Sequence, residues 1–127
     1  MTILASINGI YAGNESAPEY LYKVVSIEQW QDSLQRDQVV ITSIDKDFIH
    51  LSKEDQVAHV VQKYWNEKNY VILKLASQQL IGRLVYETNP GGTAKYYHLY
   101  NGKIPLAAVK DVTDVQTRRG HPLDSSR

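Results

Sequence analysis

The sequence of 127 residues contains no cysteine, which excludes disulfide bonds and thiolate chemistry. It has no excess of either charge, because 14 Lys and Arg residues balance 14 Asp and Glu residues. We therefore expect no general nucleic-acid binding. No apolar run approaches the ~20 residues of a membrane-spanning helix. No basic residue precedes Lys23, so the start does not read as a signal peptide. These absences favour a soluble, cytoplasmic protein that does not enter a membrane.

Metal-binding and phosphate-binding motifs are also missing. The four histidines show no ligand spacing such as two histidines four residues apart on one helix. The turn at residues 89–92 lacks the lysine and the following helix of a phosphate-binding loop. A Ser-His-Asp triad cannot be picked out. We therefore expect no metal, and any cofactor must be held without a glycine-rich loop.

The composition that is present is that of a folded domain. Hydrophobic residues make up 43% and charged residues 22% of the chain, which is typical of globular proteins. The length suits one domain with a core and is too short for two. We predict a flexible N-terminal arm at residues 1–18, a single domain at residues 19–115 and a C-terminal tail at residues 116–127. The arm is a candidate for association, and a monomer or a homodimer is expected.

Hydrophobic patterns predict an α+β domain with two helices early in the chain and strands concentrated later. Nine tyrosines against one phenylalanine suit either a wet, ring-lined cleft or a half-exposed sheet. Residues 39–42 read as a short extended piece. The predicted strands cover residues 20–25, 48–51, 70–75, 80–87, 95–100 and 109–115, with residues 70–75 central in a sheet. Asn101 and Gly102 are expected to break the strand before them.

Each predicted helix follows a serine that suits an N-cap. Ser26 is followed by Gln29 in a capping-box pattern, and Ser52 is followed by Asp55. The second helix is expected over residues 53–66. Apolar residues at helical spacing predict the core-facing sides: Ile27, Trp30 and Leu34 in the first helix, and Val57, Val60, Val61 and Tyr64 in the second.

The segment at residues 47–52 joins a short strand to the second helix. Because His50 and Ser52 are two residues apart, they share one face of that strand. A helix that begins at Ser52 would place unpaired N–H groups and a positive dipole end beside His50. This is a candidate anion site. The plainer interpretations are a half-buried histidine bonded to a backbone carbonyl and a serine that only caps the helix.

Three segments, in this order, resemble the bacterial domain-of-unknown-function 952 family over about residues 20 to 113. They are Tyr22-Lys23-Val24-Val25 followed by Trp30, Asp47-Phe48-Ile49-His50-Leu51-Ser52 with Gln56, and Tyr97-His98-Leu99-Tyr100-Asn101-Gly102-Lys103-Ile104-Pro105 with Val109. The second and third segments are the most specific parts of the resemblance.

The resemblance implies the fold of the ADP-ribosyltransferases: two small splayed β-sheets that form a cleft for NAD, with two main helices. It implies that the domain binds NAD or a related nucleotide and transfers or hydrolyses its ribosyl group. By this resemblance His50 and His98 are the catalytic candidates. The candidates for nucleotide contacts are Tyr22, Lys23, Ser52, Tyr97 and Tyr100, with Lys23 as a phosphate anchor if it points into the cleft.

His98 departs from the pattern of those enzymes, because a glutamate is expected at its position. A carboxylate stabilises an oxocarbenium-like transition state, whereas a histidine supplies a neutral or positive ring. The alternative is a non-catalytic module that binds a small ligand or a protein segment. On residue type alone, Lys23 and Arg83 are expected to be solvated surface cations. Glu87 is either a surface acid at a strand end, which we favour, or the sole carboxylate near the site.

Overall fold

The structure of the protein is a computed structural model that describes residues 17–116. The predicted arm and tail lie outside these residues, apart from residues 17, 18 and 116. The strands and helices, in chain order, are β1 Tyr20–Val25, α1 Ile27–Leu34, β2 Ile49–Leu51, α2 Val57–Tyr64, β3 Tyr70–Ala76, β4 Ile81–Thr88, β5 Lys95–Lys103 and β6 Val109–Val115. Short 3-10 turns occupy Ser43–Asp45, Glu54–Gln56, Ser77–Gln79 and Leu106–Ala108.

The six strands form two antiparallel sheets of three strands each. The first sheet has the order β1-β3-β6 and the second β2-β5-β4. The predicted α+β domain is confirmed, as is the central position of β3. The two sheets meet where Tyr22 and Ser52 exchange a pair of backbone hydrogen bonds, each 2.8 Å long. This pair brings β1 against the end of β2.

One hydrophobic core joins the two sheets. It is built from alternate residues, because successive side chains on a strand point to opposite faces. Leu21, Leu73 and Leu75 of the first sheet and Leu51 and Leu99 of the second are at most 1% exposed. On the second sheet, the residues that alternate with Leu51 and Leu99 point to the opposite face. That face carries the candidate site.

The first helix is confirmed, and so is its cap. Ser26 Oγ accepts a hydrogen bond of 2.9 Å from the Gln29 N–H. Ile27 and Trp30 pack against the core, but the prediction for Leu34 is wrong, because it is 55% exposed. Ser33 is buried on this side of the helix instead, where its hydroxyl bonds both Gln29 O and the Val40 N–H. Helical spacing could not reveal this, since a serine carries no apolar signal.

The beginning of the second helix differs from the prediction. Ser52 is not the N-cap, because it is held in the backbone pair with Tyr22. A 3-10 turn begins after Lys53, whose N–H donates to Gln56 Oε1 at 2.9 Å, and α2 covers only Val57–Tyr64. Tyr64 was expected in the core and is 55% exposed. The helix N-terminus therefore does not begin beside His50 as expected.

Two further segments depart from the predicted strands. Residues 39–42 form no strand; Val39 is buried and its N–H donates to Ile104 O at 2.9 Å. Strand β5 is not broken at Asn101 but continues to Lys103. Asn101 adopts a φ of 50°, a conformation that asparagine tolerates better than most residues. The strand passes through this point as a bulge, because two residues of β5 lie opposite Gly82.

The bulge brings Gly82 and Gly102 into close backbone contact. A Cβ on Gly102 would clash with Ile81 O and lie 2.9 Å from Gly82 Cα. Gly102→Ala is therefore expected to lower the free energy of unfolding by about 1–3 kcal/mol, measured by chemical denaturation. Gly92→Ala is the control: its nearest neighbour would be Asn89 O at 3.4 Å, so an effect within about 0.5 kcal/mol is expected. Equal losses of stability in Gly102→Ala and Gly92→Ala would contradict a close backbone contact between Gly82 and Gly102.

Candidate functional site

His50 and His98 lie side by side on the face of the second sheet that points away from the core. They are register partners on β2 and β5, so their side chains share one face. Their ring centroids are 5.4 Å apart. Phe48 stacks on His98 with a centroid distance of 4.0 Å. The structure thus brings the two predicted histidines together, as neighbours within one sheet rather than across a cleft.

Asp45 holds the His50 side chain. The 3-10 turn Ser43–Asp45 ends four residues before β2 and directs the carboxylate back along the chain. Asp45 Oδ1 accepts hydrogen bonds from His50 Nδ1 at 2.7 Å and from the His50 N–H at 3.2 Å. Asp45 Oδ2 lies 2.6 Å from Lys23 Nζ. Lys23 Nζ also donates to His50 O at 3.0 Å.

The carboxylate of Asp45 is kept charged by these partners. Burial acts to raise the pKa of this carboxyl, but the His50 hydrogen bond and the Lys23 charge outweigh it, so the pKa falls below its ordinary value of 3.8. A charged carboxylate only accepts, so His50 Nδ1 carries the hydrogen. A neutral ring then has its lone pair at Nε2. This nitrogen has no hydrogen-bond partner among residues 17–116, and the side chain is 36% exposed.

His98 lies in a second set of bonds and is fully buried. Its Nδ1 is 2.7 Å from Glu87 Oε2, and its Nε2 is 2.6 Å from Asn89 Oδ1. The hairpin of β4 and β5 explains this geometry, because Val85 is the register partner of His98 and Glu87 and Asn89 follow it at two-residue spacing. Because a charged carboxylate only accepts hydrogen bonds, His98 Nδ1 carries the hydrogen of the bond to Glu87.

Glu87 is the exposed member of this second set, at 36% side-chain exposure. The Tyr100 hydroxyl donates to Glu87 Oε2. This bond and the His98 bond hold the pKa of the Glu87 carboxyl below its ordinary range. The same Glu87 bond, together with burial, raises the pKa of the Tyr100 phenol. The face therefore presents a charged carboxylate beside a neutral phenol at neutral pH.

The other predicted binding residues lie in different places. Tyr100 is on the candidate face. Tyr22 points away from Lys23 and lines a hollow of about 470 Å³ with Tyr20 and Lys53. Tyr97 points into the core and packs on Tyr86, with ring centroids 4.6 Å apart.

Two of the predicted binding residues are committed to structural contacts. Ser52 is 7% exposed and joins the two sheets, and Lys23 is 7% exposed in its ion pair with Asp45. The expectation that Lys23 is a solvated surface cation is therefore wrong. The hollow beside Tyr22 and a second one of about 450 Å³, lined by Glu19, Gln79 and Lys110 among others, both lie away from the two histidines.

Three residues of the site were not identified from the sequence: Asp45, Phe48 and Asn89. For Glu87 the surface acid was the favoured interpretation, but it is the alternative, a carboxylate near the site, that the bond to His98 supports. A signal for Glu87 and Asn89 exists in the hairpin, because a turn at residues 89–92 places alternate residues of β4 beside alternate residues of β5. Asp45 had no such signal, since it lies in an irregular loop.

Residues 17–116 contain no group of three or more His, Asp or Glu side chains that could hold a metal ion. Within the same residues, no helix is long and apolar enough to span a membrane.

The solved structures include matches to this chain. The X-ray crystal structure of protein CC0527 from Caulobacter crescentus matches with a TM-score of 0.65 and 26% sequence identity, covering 75% of this chain and 84% of that chain. The solution NMR structure of CC0527 gives a TM-score of 0.63 at 24% identity, over 78% and 86% of the two chains. No curated protein matches. The family model described as "Protein of unknown function (DUF952)" matches residues 24–112, which is more than half of the chain, and the protein therefore belongs to this family.

Proposed function

We propose that the face around His50 binds NAD or a related nucleotide and transfers or hydrolyses its ribosyl group. The observation that carries this proposal is the Asp45–His50 pair: Nδ1 is fixed at 2.7 Å from a charged carboxylate, while Nε2 is open. An imidazole oriented in this way by a carboxylate is the usual arrangement of a general base or acid. The exposed Glu87 carboxylate lies one histidine ring away on the same face.

His50 has the role of moving a proton at Nε2. For hydrolysis it accepts the proton of the attacking water, and for transfer it accepts the proton of the acceptor hydroxyl or amine. The new bond forms at C1 of the ribose as the bond from C1 to the base breaks, so that NAD releases neutral nicotinamide. Asp45 fixes the ring and its tautomer, and Lys23 fixes Asp45 from the other side. Because Lys23 and Asp45 are buried, this support does not depend on flexible surface side chains.

Glu87 has the role of stabilising positive charge. Cleavage of a ribosyl bond passes through a transition state with oxocarbenium character, and a nearby carboxylate lowers its energy. An ADP-ribosyltransferase-like site would be expected to have a glutamate at the position of His98, and Glu87 supplies a carboxylate 2.7 Å from that histidine. His98 is buried and both of its nitrogens are bonded, so it acts as a positioning residue for Glu87.

A non-catalytic binding module is the second candidate. It is favoured by the full burial of His98, which is typical of a structural histidine, and by the distance of both described hollows from this face. In that case the domain binds its ligand and leaves it unchanged. Both candidate functions predict that the ligand binds. Only the enzyme is expected to convert it.

Thermal unfolding in the presence of NAD, ADP-ribose and nicotinamide tests ligand binding. A ligand at 100 times its dissociation constant adds about 2.7 kcal/mol to the free energy of unfolding, so a clear rise in Tm is expected with at least one of the three. The absence of a shift with all three at millimolar concentration would contradict the nucleotide proposal. If Tm rises, consumption of NAD distinguishes an enzyme from a binding module.

A further inference from the structure

Arg83 is an exposed cation with an unused set of donors on the candidate face. It is the register partner of Tyr100, which is two residues from His98 on β5. Its guanidinium carbon lies 4.9 Å from the centre of the Tyr100 ring. A ring contact of this kind holds the guanidinium plane without using its N–H groups. Among residues 17–116 these N–H groups make no hydrogen bond or ion pair.

Lys23 cannot provide the phosphate anchor that the resemblance implied. Its ammonium group is 2.6 Å from Asp45 Oδ2 and 3.0 Å from His50 O. To bind a ligand phosphate it would have to leave a buried carboxylate without its partner, which is costly. Arg83 has no such commitment. It is also the better group for this task, since its planar fork matches phosphate oxygens in pairs.

We propose that Arg83 binds the phosphate of the nucleotide while Glu87 faces its ribose. This inference rests on the proposed function and names the part of the ligand that Arg83 recognises. Tyr100 lies between the two groups: Arg83 lies over its ring, and its hydroxyl donates to Glu87. Arg83, which attracts anions, and Glu87, which stabilises a developing positive charge, are thus separated by one tyrosine side chain. A ribose 5-phosphate unit has the matching arrangement, with an anionic phosphate at one end and a reacting carbon that becomes positively charged at the other.

The charges around Tyr100 determine where an anion can bind on this face. Besides the Glu87 hydrogen bond and burial, the charges of Glu87 and Asp47 act to raise the pKa of the Tyr100 phenol, while that of Arg83 acts to lower it. Two acids therefore lie near the Tyr100 phenol, and the charge of Arg83 also acts on Glu87. We expect a ligand anion at the edge of Arg83 that is turned away from Glu87.

Calorimetric titration of four proteins tests the inference: wild type, Arg83→Gln, Arg83→Lys and Arg36→Gln. The ligands are ADP-ribose, which carries phosphate, and adenosine, which does not. Because a hydrogen bond to a charged group is lost, Arg83→Gln is expected to weaken ADP-ribose binding by about 10-fold or more and to leave adenosine binding unchanged. Arg83→Lys is expected to be intermediate, since it keeps the charge without the fork. Arg36 is an exposed cation after α1, and its variant is expected to match wild type.

The outcomes separate this inference from the proposed function. If Arg83→Gln binds ADP-ribose as wild type does, or loses both ligands equally, Arg83 does not read phosphate and the inference is wrong while the nucleotide proposal remains. If wild type binds neither ligand, the nucleotide proposal is wrong, and pyrophosphate then probes the arginine alone. Pyrophosphate binding that is lost in Arg83→Gln but kept in Arg36→Gln supports the anion site. Its absence in wild type overturns that too.

Discussion

Replacing Asp45 with asparagine is expected to lower the free energy of unfolding by about 3–5 kcal/mol, because it removes one partner of a buried ion pair. Lys23 is 7% exposed and its ammonium lies 2.6 Å from the Asp45 carboxylate. Asparagine keeps the shape of the side chain and removes its charge. The ammonium is then buried with only His50 O as a described partner. Urea denaturation followed by circular dichroism measures the loss.

Two controls identify the ion pair as the cause. Asp47→Asn makes the same chemical change at an exposed position two residues away, and an effect within about 0.5 kcal/mol is expected. The double variant Lys23→Met, Asp45→Asn removes both charges, so its loss should be smaller than the sum of the two single losses. Strictly additive losses would show that Lys23 and Asp45 do not stabilise each other.

The pH dependence of this effect has a definite sign. The pKa of Asp45 is lower in the folded protein than its ordinary value of 3.8, so its stabilising contribution is fully present above that value and is lost as the pH falls through the folded pKa. The difference in stability between wild type and Asp45→Asn is therefore expected to shrink as the pH falls below about 4. A difference that grows as the pH falls below about 4 would contradict the ion pair.

The regular parts of the fold were predictable from local pattern. The apolar run at residues 70–75 predicts a central strand, and β3 is central in its sheet. Ser26 and Gln29 predict the N-cap of α1, which the structure confirms. Errors arise where a tertiary contact outweighs the local signal. Ser52 suits a helix cap, but its backbone pairs with Tyr22, a residue thirty positions earlier, and that pairing moves the beginning of the helix.

The candidate site was predictable in its histidines and only in part in their partners. His50 and His98 belong to recognisable segments, and the structure places them on one face. Asp45 reaches His50 through an irregular turn, which local pattern does not reveal. Glu87 reaches His98 through the register of a hairpin, which the turn at residues 89–92 signals. The sequence also assigned Lys23 to the surface, because a lysine is rarely buried. Only the position of Asp45 explains why this lysine is buried.

Replacing His50 with glutamine is expected to lower the turnover of the nucleotide by about 10²- to 10⁴-fold, the usual contribution of a general acid or base. Glutamine retains a side-chain donor for Asp45 but cannot carry a proton to or from the substrate. Binding of the nucleotide should change much less than turnover, since the lost interaction belongs to the reaction step. NAD consumption under saturating conditions, together with calorimetric titration of ADP-ribose, measures the two quantities separately.

His59→Gln is the matched control, because His59 is exposed on α2 and has no place in the proposed site. Its turnover should equal that of wild type. Glu87→Gln should also lower turnover with little effect on binding, since a neutral amide does not stabilise an oxocarbenium-like state as a carboxylate does. If His50→Gln and Glu87→Gln both keep wild-type turnover, the reaction does not occur at this face. If the wild type binds ADP-ribose but consumes no NAD, the Asp45–His50 pair belongs to a binding module, and the open Nε2 serves as a hydrogen-bonding group for the bound ligand.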